Sequence, residues 1–525
     1  MSSTAAAANA CWSRSSANNR KQRSEGPWCL LVVGALVTTE DVRGLWVARL
    51  LLERGLGIIC LIAFLVALNQ FRPLLGERGL LPVPNFVRQV PFRESPSLFY
   101  SFPKDIAFTA GAWVGILLSL LVISGVSARY TWLSVTTWTL IYLIYLSFVN
   151  VGQTFYSFGW ESILLEACFF AIFLGGSRVT PQQIPIWLFR WLLFRIMFGA
   201  GLIKLRGDEC WRNLTCLKYY YETQPMPNPL SWFAHWGPEW FGKGGVLFNH
   251  FAELIVPFSY FLPQPIAGIG GIITILFQFS IITTGNLSWL NWLTLILAFS
   301  TLDGRFFAGF GSFFRTPEMH PPHPVIGFTN LALALLVGVL SVPVVINMLS
   351  ARQVMNTTFN SLHLVGTYGA FGSITRPRYD VIVEGTDDKV LTSNTRWREY
   401  QFKGKPGDVR YYPHQIAPYH LRLDWLMWFA AMSSYQDYPW FVNFVAKLLE
   451  GDTQVIGLLR ENPFPKGPPH YVRAQLYEYH FTSPEERRKT GAWWKRTFTA
   501  PYFPAVSLDH PGFRKVLKSQ GWLDH

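Results

Sequence analysis

The sequence predicts an α-helical multipass membrane bundle of about nine spans or fewer, followed by a luminal C-terminal α+β domain. Three observations predict this fold class. Half of the 525 residues are hydrophobic and 15% are charged, whereas soluble domains have about 25% charged residues. Apolar runs of helical length recur between residues 45 and 349. After residue 350 the pattern changes to short alternating and amphipathic segments.

Residues 1–44 are predicted to be a cytosolic basic tail that is disordered. Its apolar stretch CLLVVGALV is too short to cross a membrane, and no small-residue cleavage site follows it. The net charge of +13 is concentrated in this tail and at helix ends, and no nucleic-acid motif accompanies it. Basic flanks stay on the cytosolic side, so the N-terminus is expected in the cytosol, on the strength of Arg14, Arg20, Lys21, Arg23 and Arg43.

Residues 45–349 are predicted to form the multipass helical membrane domain. Hydrocarbon offers backbone amides no hydrogen-bond partner, so each apolar run must be helical or buried. Nine crossings from a cytosolic N-terminus would place the loop 205–245 and everything after residue 349 in the lumen. The predicted helices cover residues 45–70, 106–125, 130–149, 161–175, 185–204, 246–262, 265–284, 287–302 and 326–348.

Residues 350–525 are predicted to be the luminal α+β domain. RYDVIVEG alternates as a strand does, and WREYQFKG is interpreted as a second strand. YHLRLDWLMWFAAM has helical periodicity, and PWFVNFVAKLLEG begins with Pro and ends with Gly, as many helices do. DTQVIGLLRENP has an Asp N-cap and an Asn-Pro stop. About 170 residues are enough for a separate hydrophobic core.

The predicted luminal loop carries two cysteines, Cys210 and Cys216, and an Asn-Leu-Thr triplet at Asn213. An oxidising lumen permits a disulfide, but a reactive pair and two free thiols are the alternatives. No Cys-x-x-Cys motif favours thiol exchange. Asn213 and Asn356 are the predicted glycan acceptors, while Asn286 lies at a helix start, too near the bilayer. No His, Cys and acidic cluster has zinc spacing, so no metal site is predicted.

Several long blocks resemble the lipase maturation factor family. The resemblance covers roughly residues 45–525 and implies a multipass endoplasmic reticulum membrane protein. It implies action on secreted lipases, notably lipoprotein, hepatic and endothelial lipase, during folding and dimer assembly. Five spans are usual in the family, fewer than the nine predicted from the apolar runs. The blocks are RWLLFRIMFGAGLIKLRGDECWRNLTCLKYYYETQPMPNPLSW, SVPVVINMLSARQVMNTTFNSLHLVGTYGAFGSITR, PYHLRLDWLMWFAAM, NVGQTFYSFGWESILLE and GNLSWLNWLT.

A shorter stretch, the aromatic helix ending in GAGLIKL, is similar to part of the vitamin K-dependent carboxylase bundle. That resemblance implies Lys204 as a candidate catalytic base, the position of a catalytic lysine in that family. The alternative is that Lys204 extends its amine to the membrane interface, as lysines at helix ends do. No Gly-x-Ser-x-Gly pattern is present, so the chain lacks the nucleophile motif of lipases themselves.

Charged residues within or at the ends of the predicted spans are interpreted chiefly as ion pairs inside the bundle, because charge at membrane depth is costly. A polar path for a ligand is the alternative. These residues are Glu161, Glu166, Arg190, Arg195, His250 and Glu253.

The aromatic segment YYYETQPMPNPLSWFAHWGPEW is predicted to bind immature client proteins or to lie on the membrane interface. The first interpretation requires exposed aromatic surface that matches apolar patches on a client. The client-binding candidates are Tyr220, Tyr221, Trp232, Trp236 and Trp240.

The sequence therefore predicts a maturation factor in the endoplasmic reticulum membrane that binds lipase-like clients and the bilayer. It is predicted to need no cofactor, to bind no nucleic acid and not to be an enzyme. The alternative is a membrane-embedded enzyme of the carboxylase-like bundle that uses Lys204.

The predicted sidedness can be tested on the glycan acceptors. Asn213→Gln and Asn356→Gln should each remove one glycosidase-sensitive increment in apparent mass on gel electrophoresis, because both triplets are expected in the lumen. In sealed microsomes, a C-terminal tag should be protected from added protease and an N-terminal tag should be cleaved. The reverse pattern of tag protection would contradict the orientation.

Overall fold

The structure, a computed structural model, describes residues 39–310 and 317–522. The predicted basic tail, residues 1–44, lies outside this part except for the few residues that open the first helix. The helices of the bundle and of its connecting segments are α1 (Thr39–Leu75), α2 (Val83–Gln89), α3 (Asp105–Ser124), α4 (Thr131–Val151), α5 (Gln153–Tyr156), α6 (Gly159–Ala171), α7 (Gln183–Arg206), α8 (Glu209–Arg212), α9 (Leu217–Thr223), α10 (Ser231–His235), α11 (Glu239–His250), α12 (Ile266–Ile282), α13 (Leu290–Ala298) and α14 (Pro324–Leu349).

Within the described residues, five helices are long and apolar enough to cross a membrane, namely α1, α3, α4, α7 and α14. The multipass architecture is therefore supported, but nine spans are not confirmed. Helix α6 has 13 residues, about 20 Å at 1.5 Å per residue, which is shorter than a hydrocarbon core of about 30 Å. The predicted helix 246–262 is interrupted: α11 ends at His250, and a π-helix (Phe251–Ile255) and a 3₁₀-helix (Val256–Phe261) follow.

The bundle has two ends that differ in what packs against them. At one end, called the open end, Arg49 Nη1 donates to the carbonyl oxygen of Val179 at 2.8 Å. At the other, called the capped end, the C-terminal region covers the helices. There Gln70 of α1 donates from Nε2 to the carbonyl oxygen of His420 at 2.7 Å and accepts from the backbone N–H of Arg422.

The C-terminal region contains an antiparallel sheet of strand order β2-β1-β3-β4 with helices around it. The predicted first strand is β1, whereas only two residues of the predicted second strand pair as β2. Strands β3 and β4 are not among the predicted elements. Strand β4 contains two prolines, which a sheet tolerates at an edge. The elements are β1 (Arg378–Thr386), β2 (Arg398–Glu399), α15 (Arg422–Ala430), α16 (Pro439–Glu450), α17 (Thr453–Ile456), β3 (Tyr471–Phe481), α18 (Pro484–Thr490), β4 (Trp494–Val506) and α19 (Pro511–Ser519).

Three of the helix-end signals in this region act as predicted, but α17 ends at Ile456, before the predicted Asn-Pro stop at Asn462. Helix α16 begins at Pro439 and ends before Gly451, whose φ of 71° is the left-handed conformation that glycine adopts without a Cβ clash. The Asp452 side chain accepts from the N–H groups of Gln454 and Val455 and so caps α17.

A buried ion pair joins the C-terminal region to the bundle. Arg422, the first residue of α15, donates from Nη1 to Glu161 Oε1 of α6 at 2.8 Å and to the Phe155 carbonyl at 2.6 Å. Both side chains are fully buried. The Tyr145 hydroxyl donates to the other Glu161 oxygen, and the guanidinium lies 3.4 Å from the Tyr156 ring centroid. These contacts surround a charge pair that water does not reach.

Asn286 makes a second connection between the two parts. Its side chain is fully buried and accepts from the backbone N–H groups of Ile416 and Ala417 at 2.8 and 3.0 Å. Its Nδ2 donates to the carbonyl oxygen of His414 at 2.8 Å. An amide with all of these partners is unavailable as a glycan acceptor, in agreement with the sequence interpretation.

Removing one partner of the Arg422–Glu161 pair should destabilise the whole chain. Arg422→Met leaves a buried carboxylate without its cation, which typically costs about 3–5 kcal/mol. The double variant Arg422→Met/Glu161→Gln should recover a large part of that loss. Retention of monodisperse protein after heating in detergent, followed by size exclusion, measures this. Arg410→Met, at an exposed arginine of the same region, is the control and should match the wild type. If Arg422→Met lost no more stability than Arg410→Met, the ion pair would not stabilise the chain.

Candidate functional site

A cavity of about 840 Å³ lies between the bundle and the segments that cover its capped end. Its volume falls within the range of about 300–1,000 Å³ typical of small-molecule sites. One wall is the side of α7 that carries Ile196, Met197, Ala200 and Lys204, whose spacing places them on the same side of the helix. The remaining wall residues are mainly aromatic and aliphatic and come from α6, α9, α11, α12, α13, residues 355–373 and α15.

The backbone of residues 355–373 approaches α7 closely at this wall. A Cβ at Gly199 would overlap the carbonyl oxygen of Tyr368, so the contact requires glycine. Arg195 donates from Nη1 to the carbonyl oxygen of Gly366 at 2.8 Å, and the Tyr368 hydroxyl donates to Glu166 at 2.8 Å. The segment after α14 is thus inserted into the bundle and closes one side of the cavity.

Lys204 lies inside this cavity. Its Nζ donates to Glu253 Oε1 at 2.6 Å and to Asn249 Oδ1 at 2.8 Å, and it lies 4.9 Å from the Trp211 ring centroid. Asn249 Nδ2 in turn donates to Glu253 Oε2 at 3.0 Å. Lys204 is buried, which corrects the interpretation that its amine extends to the membrane interface, because a carboxylate inside the bundle binds it.

Glu253 reaches Lys204 from the π-helix that follows α11. A π-helical turn contains one more residue than an α-helical turn and so changes the direction in which the following side chains point. Such turns are frequent at functional sites. Asn249 and Glu253 are four residues apart and share one helix face. That spacing was visible in the sequence, but Asn249 was not among the candidates because an isolated amide gives a weak signal.

The other charged residues of the bundle are held apart from the cavity. Arg195 and Glu166 form a fully buried ion pair, and Glu161 binds Arg422 instead of Lys204. Arg190 donates from Nε to the carbonyl oxygen of Ser300 at 2.8 Å. Glu161 therefore does not line the cavity that holds Lys204, and the two residues do not share a pocket.

Cys210 and Cys216 form a disulfide in the loop after α7. Beside it, Asp208 accepts the Cys210 backbone N–H at 2.9 Å and binds both terminal nitrogens of Arg376, at 2.9 and 2.8 Å. The hydrogen bonds from Arg376 hold the pKa of the Asp208 carboxyl well below its usual range. The loop is thus tied to the residues that precede β1. Cys60 and Cys168 are free and buried, as interpreted from their apolar surroundings.

Both predicted glycan acceptors have exposed side chains. Asn213 Oδ1 accepts from the Thr215 hydroxyl of its own triplet at 2.5 Å. Asn356 lies at the edge of the cavity, where its Oδ1 accepts from the Gly369 N–H at 3.4 Å. Their exposure permits modification at either residue.

Three of the five client-binding candidates are buried, which corrects their assignment to an exposed surface. Trp232 is 5% exposed and donates from Nε1 to the Thr482 carbonyl at 2.9 Å, since it packs on the sheet beside Trp493. Tyr220 and Tyr221 line the cavity, and burial raises the pKa of the Tyr221 hydroxyl to about 12. Their burial follows from the disulfide loop, which packs α9 against α11.

Trp236 and Trp240 remain exposed, at 43% and 74%. Trp236 Nε1 also donates to the Thr482 carbonyl, at 3.0 Å, so its ring is fixed while one face is open. Two further aromatic side chains, Phe233 and Phe241, are about half exposed beside them. These four residues, called the aromatic edge, run along α10 and the start of α11. The sequence could not separate them from Trp232, because all lie within one aromatic segment.

Comparison with protein families supports both parts of the chain. Residues 47–309 match the lipase maturation factor transmembrane domain, and residues 364–504 match the lipase maturation factor C-terminal domain. No solved structure matches the chain.

Relatives of known name cover nearly all of the chain. It is 43% identical over 515 residues to lipase maturation factor 1 of Homo sapiens, which covers 91% of this chain and 90% of the relative. Lipase maturation factor 1 of Bos taurus is 42% identical, with 91% of each chain covered. Lipase maturation factor 2 of Xenopus laevis is 29% identical, covering 90% of this chain and 84% of the relative.

The contacts of Lys204 predict the effect of a substitution at this residue. Lys204→Met leaves Glu253 buried without its cation, so we expect a loss of stability of about 3–5 kcal/mol. Lys204→Met/Glu253→Gln should be closer to the wild type than the single variant. Thermal retention in detergent measures both, and Lys218→Met, at an exposed lysine, is the control. A single variant as stable as the control would show that the Lys204–Glu253 contact contributes little to folding.

Proposed function

We propose that this chain, which belongs to the lipase maturation factor family, assists the folding and assembly of secreted lipases from the endoplasmic reticulum membrane. The observation that supports this most directly is the match of both family domains together with relatives that carry that name along nearly the whole chain. The clients would be immature lipases of the lipoprotein lipase kind. The protein would act on them by binding, without covalent chemistry of its own.

The N-terminus would be cytosolic, and the capped end of the bundle would be luminal. We further propose nine passages through the membrane, of which four use short or interrupted helices that neighbouring helices shield. Contacts support this proposal: α6 begins beside Arg422 at the capped end, and Leu174, just after it, lies beside Arg49 at the open end. Short spans of this kind are tolerated where protein, and not lipid, surrounds the backbone.

The aromatic edge is the proposed client-binding surface. It combines exposed rings with a rigid support, since Trp236 is hydrogen-bonded to the chain after β3 and Trp232 is packed beneath it. Rigid aromatic side chains provide apolar contact area at little entropic cost. Exposed apolar patches mark interaction sites, so this surface suits transient binding of an immature lipase.

The alternative is a membrane enzyme that uses Lys204, which lies in a cavity of substrate size. A catalytic base needs a free lone pair on nitrogen. Here the neighbours of Nζ are two hydrogen-bond acceptors, Glu253 and Asn249, so the amine acts as a donor. This geometry favours the maturation factor over the enzyme.

The proposal is tested by removing the exposed tryptophans. Trp236→Ala/Trp240→Ala should lower the activity of secreted client lipase at equal abundance of the factor. Truncating an aromatic residue at the centre of an interface commonly costs about 2 kcal/mol of binding free energy. The measurement is lipase activity in the medium of cells that lack the endogenous factor and are rescued with each variant.

The matched control is Trp113→Ala/Trp132→Ala, which removes two exposed tryptophans from α3 and α4. It should rescue lipase activity as the wild type does. Full rescue by the aromatic-edge variant would remove this surface from the proposal. Failure of both variants at normal abundance would point to a general effect of exposed tryptophans.

A further inference from the structure

The lining of the cavity beside Lys204 includes two residues that are exposed at the bundle surface, Phe248 of α11 and Ser280 of α12. From their exposure we infer an opening of the cavity between α11 and α12. The surroundings of this opening are apolar and exposed, which is the surface a membrane protein presents to lipid. A molecule dissolved in the membrane could therefore enter the cavity sideways. The exposed apolar neighbours are Leu247, Phe251, Ile255, Leu276 and Phe279.

The cavity is electrically balanced. Among its described lining residues, Lys204 and Glu253 are the only charged ones, and they form an ion pair. A ligand with a charge of its own would find no counter-charge to compensate it. Burying an uncompensated charge is strongly unfavourable. This argues for an uncharged ligand.

Hydrogen-bond donors lie at two depths in the otherwise apolar lining of the cavity. Lys204 has three N–H donors, of which two are used by Glu253 and Asn249. Met197 lies seven residues earlier on the same face of α7, about 10 Å along the helix. At that depth Gln278 donates to the Met197 sulfur at 3.2 Å, and its Oε1 accepts from Asn291 at 2.6 Å. A thioether is a weak acceptor, so a donor of the buried Gln278 amide is available to a better one.

We propose that this cavity binds an uncharged membrane lipid that carries a hydroxyl or ester carbonyl group. The apolar body of the lipid lies along Ile196, Met197 and the aromatic wall. Its oxygen accepts a hydrogen bond from Lys204 or, deeper in the cavity, from Gln278. The lipid enters from the membrane through the opening between α11 and α12.

The test uses the full-length protein in lipid nanodiscs with photoreactive lipid probes. A diacylglycerol and a sterol, each uncharged with a free hydroxyl, carry a diazirine in the apolar part. A phosphatidylcholine with a zwitterionic head group and a fatty acid with an anionic carboxylate have the same chain and diazirine and serve as the charged probes. We expect at least one uncharged probe to label peptides of the cavity wall, and excess unlabelled lipid of the same kind to abolish this labelling. Labelling of cavity peptides by the charged probes to the same extent would overturn the proposal.

Ala200→Phe fills the cavity from α7, and Ala110→Phe, on the exposed face of α3, is its matched control. Labelling of the cavity peptides should fall about tenfold in Ala200→Phe, equivalent to about 1.4 kcal/mol, and should be unchanged in the control. Undiminished labelling in a folded Ala200→Phe would overturn the proposal. If that variant does not fold, competition in the wild type decides. Cross-linking from a photoreactive residue at position 200 to a client polypeptide, and not to lipid, would also overturn it.

Discussion

Glu161 and Arg422 lie against each other without contact to solvent, one on a helix of the bundle and the other 261 residues later in the C-terminal region. Neither charge is tolerable alone at that depth, because an isolated buried ion is far more costly than a paired one. The C-terminal region therefore supplies the positive charge that compensates Glu161 on α6, and the bundle supplies the negative charge that compensates Arg422 on α15. Tyr145, Tyr156 and the Phe155 carbonyl complete the polar surroundings of the pair.

The cavity depends on this joint. Helices α7, α12 and α13 of the bundle line one part of it. Trp425 and Trp428 of α15 and the segment around Tyr368 line the part toward the capped end. If α15 were displaced, the cavity would open to water and Lys204 would lose its apolar surroundings. Separate contacts sort the aromatic candidates: the disulfide loop buries Tyr220 and Tyr221, and the sheet beside Trp493 buries Trp232. Trp236 and Trp240 remain exposed.

Other charged residues inside the bundle also have buried partners. Glu166 has Arg195, Glu253 has Lys204, and Arg190 is bound by backbone carbonyl groups left free where helices end. The sequence interpretation of paired charges is confirmed for Glu161, Glu166, Arg195 and Glu253, whereas Arg190 and His250 bind backbone carbonyl groups. It could not identify the partners, since Arg422 and Glu161 are distant in sequence and Glu253 reaches Lys204 only because a π-helix redirects it.

The sequence by itself determined the helical membrane class, the first strand of the sheet, the caps of α16 and α17 and the family, because apolar run length, alternation, capping residues and long motifs are local properties. Only the tertiary structure decided that Lys204 points into a cavity, that three of five aromatic candidates are buried, and that the predicted helix 246–262 is interrupted. Burial and pairing depend on which distant segments meet. That is set by the packing of the whole chain and leaves no periodic signal in any one stretch.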